Sequence, residues 1–156
     1  MSVREARRRR QEGAAAVEFA LVAPLLLLLL FGIISYGYML SFRQALSQGA
    51  AEGARAAAVT LDVAGGSKKV EAARQALNEA LGSYGVTCDG PALKRAGTQV
   101  GTCEVTEAAC SNNHHRQCAT VTVDYLYRQH SLLPSLPGIG AVLPEHLKYS
   151  AVAEVS

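Results

Sequence analysis

Residues 12–42 read EGAAAVEFALVAPLLLLLLFGIISYGYMLSF, and this apolar stretch decides the fold of the first part of the chain. From Phe19 to Phe42 it contains 24 residues without a charged side chain. An α-helix rises about 1.5 Å per residue, so this run is about 36 Å long, enough to cross a hydrocarbon core of about 30 Å. The stretch therefore predicts a transmembrane helix, with one carboxylate, Glu18, at its N-terminal edge.

Positive charge is concentrated before the apolar stretch. Residues 1–13 carry five arginines against Glu5 and Glu12, a net charge of +3, whereas the rest of the chain carries a net charge of −1. Lys and Arg next to a membrane span mark the cytoplasmic side, which predicts an inside N-terminus and an outside C-terminal domain. The RRRR run at 7–10 is therefore interpreted as a membrane-flanking cluster, and we expect no nucleic-acid partner.

The order of segments predicts an α+β fold with four parts. These are a basic cytoplasmic leader at 1–13, a transmembrane helix at 14–42, its extension outside the membrane at 43–63, and an extracytoplasmic domain at 64–156. One helix is expected from about Ala14 to about Leu61, because its second half is rich in alanine. AGGS at 64–67 predicts a turn before a second, short helix, whose apolar stripe consists of Val70, Ala73, Ala76, Leu77 and Leu81.

The last seventy residues predict a small antiparallel sheet. Short segments rich in Val, Thr and Tyr are typical of strands, and alternation is clearest from Ala119 to Tyr125. SLLPSLPGIGAVLP at 131–144 predicts an irregular loop before the last strand. The four predicted strands are VTC (86–88), TCEVTEA (102–108), CATVTVDYLYR (118–128) and LKYSAVAEV (147–155).

All four cysteines lie in the predicted outer domain, at Cys88, Cys103, Cys110 and Cys118. An even number of cysteines in an exported domain indicates disulfides. Three connectivities are possible, and the sequence alone selects none of them. The pairing we expect is Cys110–Cys118, which would close the polar turn SNNHHRQ, and Cys88–Cys103, which would join the first two strand segments.

No constellation of catalytic residues stands out in the chain. It has no P-loop and no GxGxxG motif, so we expect neither an enzyme nor a cofactor. His114 and His115 lie between two cysteines, but adjacent histidines do not readily converge on one ion and the spacing is unlike that of zinc sites. We therefore interpret them as part of a polar loop and predict no metal site.

The junction between the basic leader and the apolar run contains a small, flexible residue, Gly13. A protease can bind such a residue in an extended conformation, which makes this junction a candidate cleavage site. Two alternatives stay open. Ordinary signal peptidase would instead cut after the apolar run, near SQGAAEGARAAA at 47–58, and an uncleaved anchor would keep every residue.

The stretch from the RRRR cluster to about residue 59 resembles the N-terminal signature of TadE-like proteins, minor pilins or pseudopilins of the Tad (Flp, type IVb) pilus system. The resemblance rests on an ordered combination: the basic leader, Gly13, the Glu18-Phe19 pair, the leucine run, and the following RQAL…AAEGARAAA helix. It implies a prepilin cut between Gly13 and Ala14 by a cytoplasmic-side membrane peptidase. Glu18 and Phe19 would then serve peptidase recognition and assembly.

The resemblance also implies partners: the membrane, the prepilin peptidase and other Tad pilus subunits that contact the N-terminal helix. Cleavage would expose an ammonium at Ala14, and Glu18 is expected to pair with this group or a neighbour's; alternatively, it only marks headgroup depth. Ala45, Gly49, Gly53 and Ala57 recur every four residues, so they share a helix face that would allow close packing. The alternative is that this face packs on the chain's own domain.

The resulting prediction is a membrane-anchored minor pilin or pseudopilin of the bacterial cytoplasmic membrane, cleaved after Gly13. It leaves open whether the protein caps a filament, lies within one, or stays in the membrane. The rival hypothesis is an uncleaved single-pass envelope protein whose outer domain binds a ligand or partner.

Overall fold

The structure, a computed structural model, describes residues 3–61, 67–133 and 143–155. It confirms an α+β fold with a long apolar N-terminal helix, a second helix and an antiparallel sheet. Residues 64–66 of the predicted turn and residues 134–142 of the predicted loop lie outside this description. The elements are α1 (Val3–Val59), α2 (Ser67–Leu81), a 3-10 turn (Gly82–Tyr84), and strands β1 (Val86–Asp89), β2 (Ala92–Arg95), β3 (Thr98–Ala109), β4 (Gln117–Tyr125) and β5 (Leu147–Val155).

The chain separates into two compact units, Met1–Tyr38 and Met39–Ser156. In the first unit, α1 begins at Val3, so the expected start near Ala14 is wrong. The reason is compositional: positions 4–12 hold only Arg, Glu, Gln and Ala, all of which favour helix, and contain neither Gly nor Pro. A basic leader can therefore be helical as well as polar.

The large apolar side chains of the first unit are exposed on the surface of the helix. Phe19 is 72% exposed and Leu21 is 74% exposed, and the other large apolar residues up to Ile34 are similarly open. Within the described ranges, one helix is long and apolar enough to cross a membrane, over Gly13–Val59. Apolar surface of this extent is costly in water and favourable in lipid, so the finding supports a membrane anchor.

The second unit contains a five-stranded antiparallel sheet in the order β1-β2-β3-β4-β5. Each strand pairs with its neighbours in sequence, and Val123 of β4 lies between Cys103 of β3 and Tyr149 of β5. Four strands coincide with predicted segments, but β2 was not expected. A four-residue strand with one buried side chain, Leu93, has too little periodicity to be detected in the sequence.

One face of the sheet and two helices form the core of the second unit. The predicted alternation in β4 is confirmed, because its four inward side chains are completely buried. Helix α2 also contributes, through Ala73, Leu77 and Leu81, each 0% exposed. Helix α1 contributes as well, and its buried apolar side chains in this unit are Met39, Phe42, Leu46, Ala50, Ala54 and Ala57.

An aromatic cluster closes one end of this core. The Phe42 ring lies 4.8 Å from the Tyr125 ring and 5.0 Å from the Tyr84 ring, centroid to centroid. The Tyr125 hydroxyl donates a 2.7 Å hydrogen bond to the carbonyl oxygen of His130, so this buried polar group has a partner. Burial raises the pKa of Tyr125, partly opposed by the Arg95 guanidinium, so the phenol is neutral at physiological pH.

Gly101 of β3 lies where strand β4 approaches most closely. A Cβ built on it collides with the backbone carbonyl of Asp124 and comes within 3.0 Å of the Tyr125 Cα. These are backbone atoms, which cannot rotate out of the way. We expect Gly101→Ala to lower the free energy of unfolding by about 1–3 kcal/mol, the usual cost of overpacking.

The measurement is chemical denaturation of the purified full chain, monitored by the near-UV circular dichroism of the buried tyrosines. The matched control is Gly82→Ala, because a Cβ at Gly82 meets no atom within 4 Å and its φ is not positive. The control should change stability by less than about 0.5 kcal/mol. Equal midpoints for the two variants would contradict the predicted backbone collision.

Candidate functional site

The predicted cleavage junction lies inside the first unit's helix. Gly13 and Ala14 are both exposed, and a Cβ placed on Gly13 meets no atom within 4 Å. A protease binds its substrate extended, so cutting here requires local unwinding of the helix. Glycine eases this step, because it is about 1 kcal/mol less favourable than alanine in a helix interior. The junction is therefore accessible to a protease and lies where the helix is locally less stable.

Glu18 and Phe19 follow the junction by one helical turn. Ala14 and Glu18 are four residues apart, so they lie on the same helix face, about 6 Å apart along the axis. Both are exposed, and Phe19 is 72% exposed. An amine created at Ala14 would therefore lie within reach of the Glu18 carboxylate of its own chain. This arrangement can form an ion pair at the edge of the apolar run.

The small-residue face of α1 packs inside the second unit. A Cβ added to Gly49 would lie 2.8 Å from the Leu77 side chain, and one added to Gly53 would lie 3.0 Å from the Ala73 carbonyl oxygen. Ala57 is fully buried and Ala45 is half-buried. These four residues let α1 approach α2 and the sheet closely. The packing corresponds to the alternative given above, in which this face packs on the chain's own domain. The face is consequently occupied by the chain's own domain.

The cysteines form two disulfides with the expected pairing. Cys88 of β1 is joined to Cys103 of β3, with 5.9 Å between Cα atoms, and Cys110 is joined to Cys118 at the start of β4, with 5.0 Å. The Asn78 amide binds both the backbone N–H and the carbonyl oxygen of Cys88, so α2 is fixed to the first bridge as well. Closing a loop of about 15 residues contributes about 3 kcal/mol in a chain-entropy treatment.

The polar turn between Cys110 and Cys118 is organised by its own backbone. The Asn113 N–H donates to the Cys110 carbonyl oxygen, and the Arg116 N–H donates to the Asn113 carbonyl oxygen. Both His114 and His115 are exposed. Within residues 3–61, 67–133 and 143–155, no three His, Cys, Asp or Glu side chains are grouped as metal ligands.

Some contacts of the second unit were not predicted from the sequence. The Arg43 Nε donates a 2.8 Å hydrogen bond to the Tyr149 hydroxyl, and the Ser41 and Tyr84 hydroxyls lie 2.7 Å apart. These partners are separated by 106 and 43 residues, so no local pattern indicates them. They fix the first turns of α1 in this unit to β5 and to the turn after α2.

These features define a class of protein: one apolar helix suited to a membrane, followed by a small disulfide-bonded α+β domain. Residues 13–55 match the model of the family described as TadE-like protein, which confirms the resemblance over the junction, the apolar run and part of the packed segment of α1. The match relates the chain to the Tad pilus system. The comparison with curated proteins and that with solved structures each gave no match.

Proposed function

We propose that this chain is a minor pilin or pseudopilin-like component required for assembly of a Tad pilus. The observation that carries the proposal is the position of the family match, which begins at Gly13 and ends in the buried segment of α1. It therefore includes the cleavage junction, Glu18 and the exposed apolar run within a single helix. Exposed apolar helix surface is what subunits need if they are stored in lipid and then packed together.

In this proposal the chain is made as a membrane-anchored precursor. Its arginine-rich leader holds the N-terminus in the cytoplasm, and a prepilin peptidase there cuts between Gly13 and Ala14. The new Ala14 ammonium and the Glu18 carboxylate pair with each other or with those of neighbouring subunits. An unpaired carboxylate at the lipid boundary is unfavourable, so pairing favours the assembled state and fixes the register between helices.

The second unit is proposed to lie outside the cytoplasmic membrane. All four cysteines belong to this unit and are paired, as is usual for exported domains in an oxidising compartment. The bonds hold β1 to β3 and close the turn before β4. The two bridges add to the stability that the core supplies, by constraining the unfolded chain. It would present its surface to the other subunits or to the exterior.

Intact-mass spectrometry of the protein from its native membrane tests this function. The expected mass is that of residues 14–156, because cleavage after Gly13 removes only the leader. The rival, an uncleaved envelope protein, predicts the mass of the whole chain. A mature chain that retains residues 1–13, or that begins after residue 50, would contradict the prepilin proposal.

A further inference from the structure

The two disulfides of the second unit join cysteines in the order in which they occur along the chain. Cys88 is bonded to Cys103, 15 residues further on, and Cys110 is bonded to Cys118, 8 residues further on. No other cysteine lies between the members of either pair, because the chain contains only these four. Each bond can therefore close before any later cysteine is available.

Three of the four cysteines are buried once the second unit has folded. Cys103 is completely buried, Cys110 is 2% exposed and Cys88 is 5% exposed. The Asn78 side chain of α2 also binds the backbone of Cys88, so helix and bridge are packed together. A disulfide forms through a mixed disulfide, so an oxidising enzyme must reach a sulfur atom, and buried cysteines are inert. Oxidation must therefore precede the final packing of the sheet and α2.

A chain that is oxidised before it packs cannot use its folded geometry to select the partners. In the finished fold a Cys103–Cys110 bond is excluded, because seven residues of extended strand separate the two by about 23 Å. In the unpacked chain that bond closes a loop nearly as short as the native Cys110–Cys118 loop, and loop-closure entropy does not distinguish them. The order in which the cysteines become available does distinguish them.

We propose that an exported thiol oxidase closes the two bonds in the order in which the cysteines emerge from the membrane, so that no disulfide isomerase is needed. One cysteine thiolate attacks the disulfide of the oxidase, and the second thiolate then attacks the mixed disulfide and releases the reduced enzyme. Each bond removes two electrons and two protons from the chain, and the oxidase disulfide becomes a dithiol. The inference rests on the proposed location of the second unit outside the cytoplasmic membrane, but not on cleavage or pilus assembly.

Cys103→Ser in the full-length chain tests the order of oxidation. The variant is made in the native host without its disulfide isomerase, free thiols are trapped by alkylation, and bonds are identified by non-reducing peptide mapping. When Cys110 emerges, its available partner is Cys88, so we expect most chains to carry a Cys88–Cys110 bond and a free thiol at Cys118. The same variant, purified, reduced, unfolded and reoxidised with glutathione disulfide, has all three cysteines available together. There Cys110–Cys118 should exceed Cys88–Cys110 about fivefold, because it closes the shorter loop.

Cys118→Ser is the matched control, because it also removes one cysteine but leaves the first pair to close. Nearly all of its chains should carry Cys88–Cys103, with a free thiol at Cys110. The wild-type chain should keep both native bonds in the host without the isomerase and lose them in a host without the oxidase. Cys110–Cys118 as the main bond of Cys103→Ser made in cells, or mispaired wild-type chains, would overturn the inference alone. Free thiols throughout the wild-type chain in the normal host would contradict the proposed outer location as well.

Discussion

Gly13→Leu is expected to leave the chain at the full precursor mass, with no detectable product beginning at Ala14. Gly13 lies within α1, so the proposed peptidase would have to unwind the helix to bind the junction extended. Leucine is among the stronger helix formers and stabilises the helical conformation by close to 1 kcal/mol relative to glycine. The measurement is intact mass of the membrane-bound protein in the native host.

The control for this prediction is Gly37→Leu. Gly37 lies in the same helix, is exposed, and likewise has no atom within 4 Å of a built Cβ, so the steric and helical effects are matched. Processing of Gly37→Leu should be complete. Complete processing of Gly13→Leu, or loss of processing in both variants, would contradict a cut that depends on glycine at position 13.

Glu18→Gln is expected to reduce incorporation into pilus assemblies about a hundredfold while leaving membrane insertion and cleavage near normal. Glutamine keeps the size and polarity of the side chain but removes the charge that would pair with the Ala14 ammonium. Both groups are exposed in the single chain, and in the proposed assembly neighbouring helices would bury the pair. Breaking a buried ion pair by removing one partner costs about 3 kcal/mol, which corresponds to about two powers of ten in an equilibrium. The measurement is co-purification or crosslinking of the processed variant with the other pilus components.

Glu52→Gln provides a matched loss of charge on the same helix. Glu52 is exposed and lies 3.6 Å from Arg55, an i,i+3 surface pair of the kind that contributes less than about 1 kcal/mol. Its incorporation should equal that of the wild-type chain. Wild-type recovery of Glu18→Gln in the assemblies would rule out the pairing hypothesis and indicate that Glu18 only marks headgroup depth. The cleavage prediction would be unaffected by that result.

Local patterns in the sequence were sufficient for the elements with strong periodicity. The alternation from Ala119 to Tyr125 identified β4 and its inward face, and the stripe around Leu77 identified α2. The start of α1 was predicted too late, because the leader was interpreted by its charge rather than by its helix propensity. The short strand β2 carries almost no pattern, and it is held in place mainly by pairing with β1 and β3.

The candidate site was predictable where one helix carries it and not where distant segments meet. Gly13, Ala14, Glu18 and Phe19 are neighbours in sequence, so their common location follows from helix geometry. The spacing of Gly49 and Gly53 indicated a packing face, but a single sequence does not specify which surface covers it. Arg95 meets Ser131, 36 residues further along the chain, only through the fold of the sheet, so no local sequence motif indicates this contact.

The use of α1 residues in the core of the second unit sets the limits of a soluble fragment. The side chains of Phe42 and Leu46 are fully buried; Phe42 is the last residue of the apolar run, and Leu46 follows it by one helical turn. A truncation that begins at the second helix would leave the inner face of the sheet without its main cover, and such a fragment should aggregate. A usable fragment must begin at or before Met39 and therefore carries the last apolar residues of the run with it.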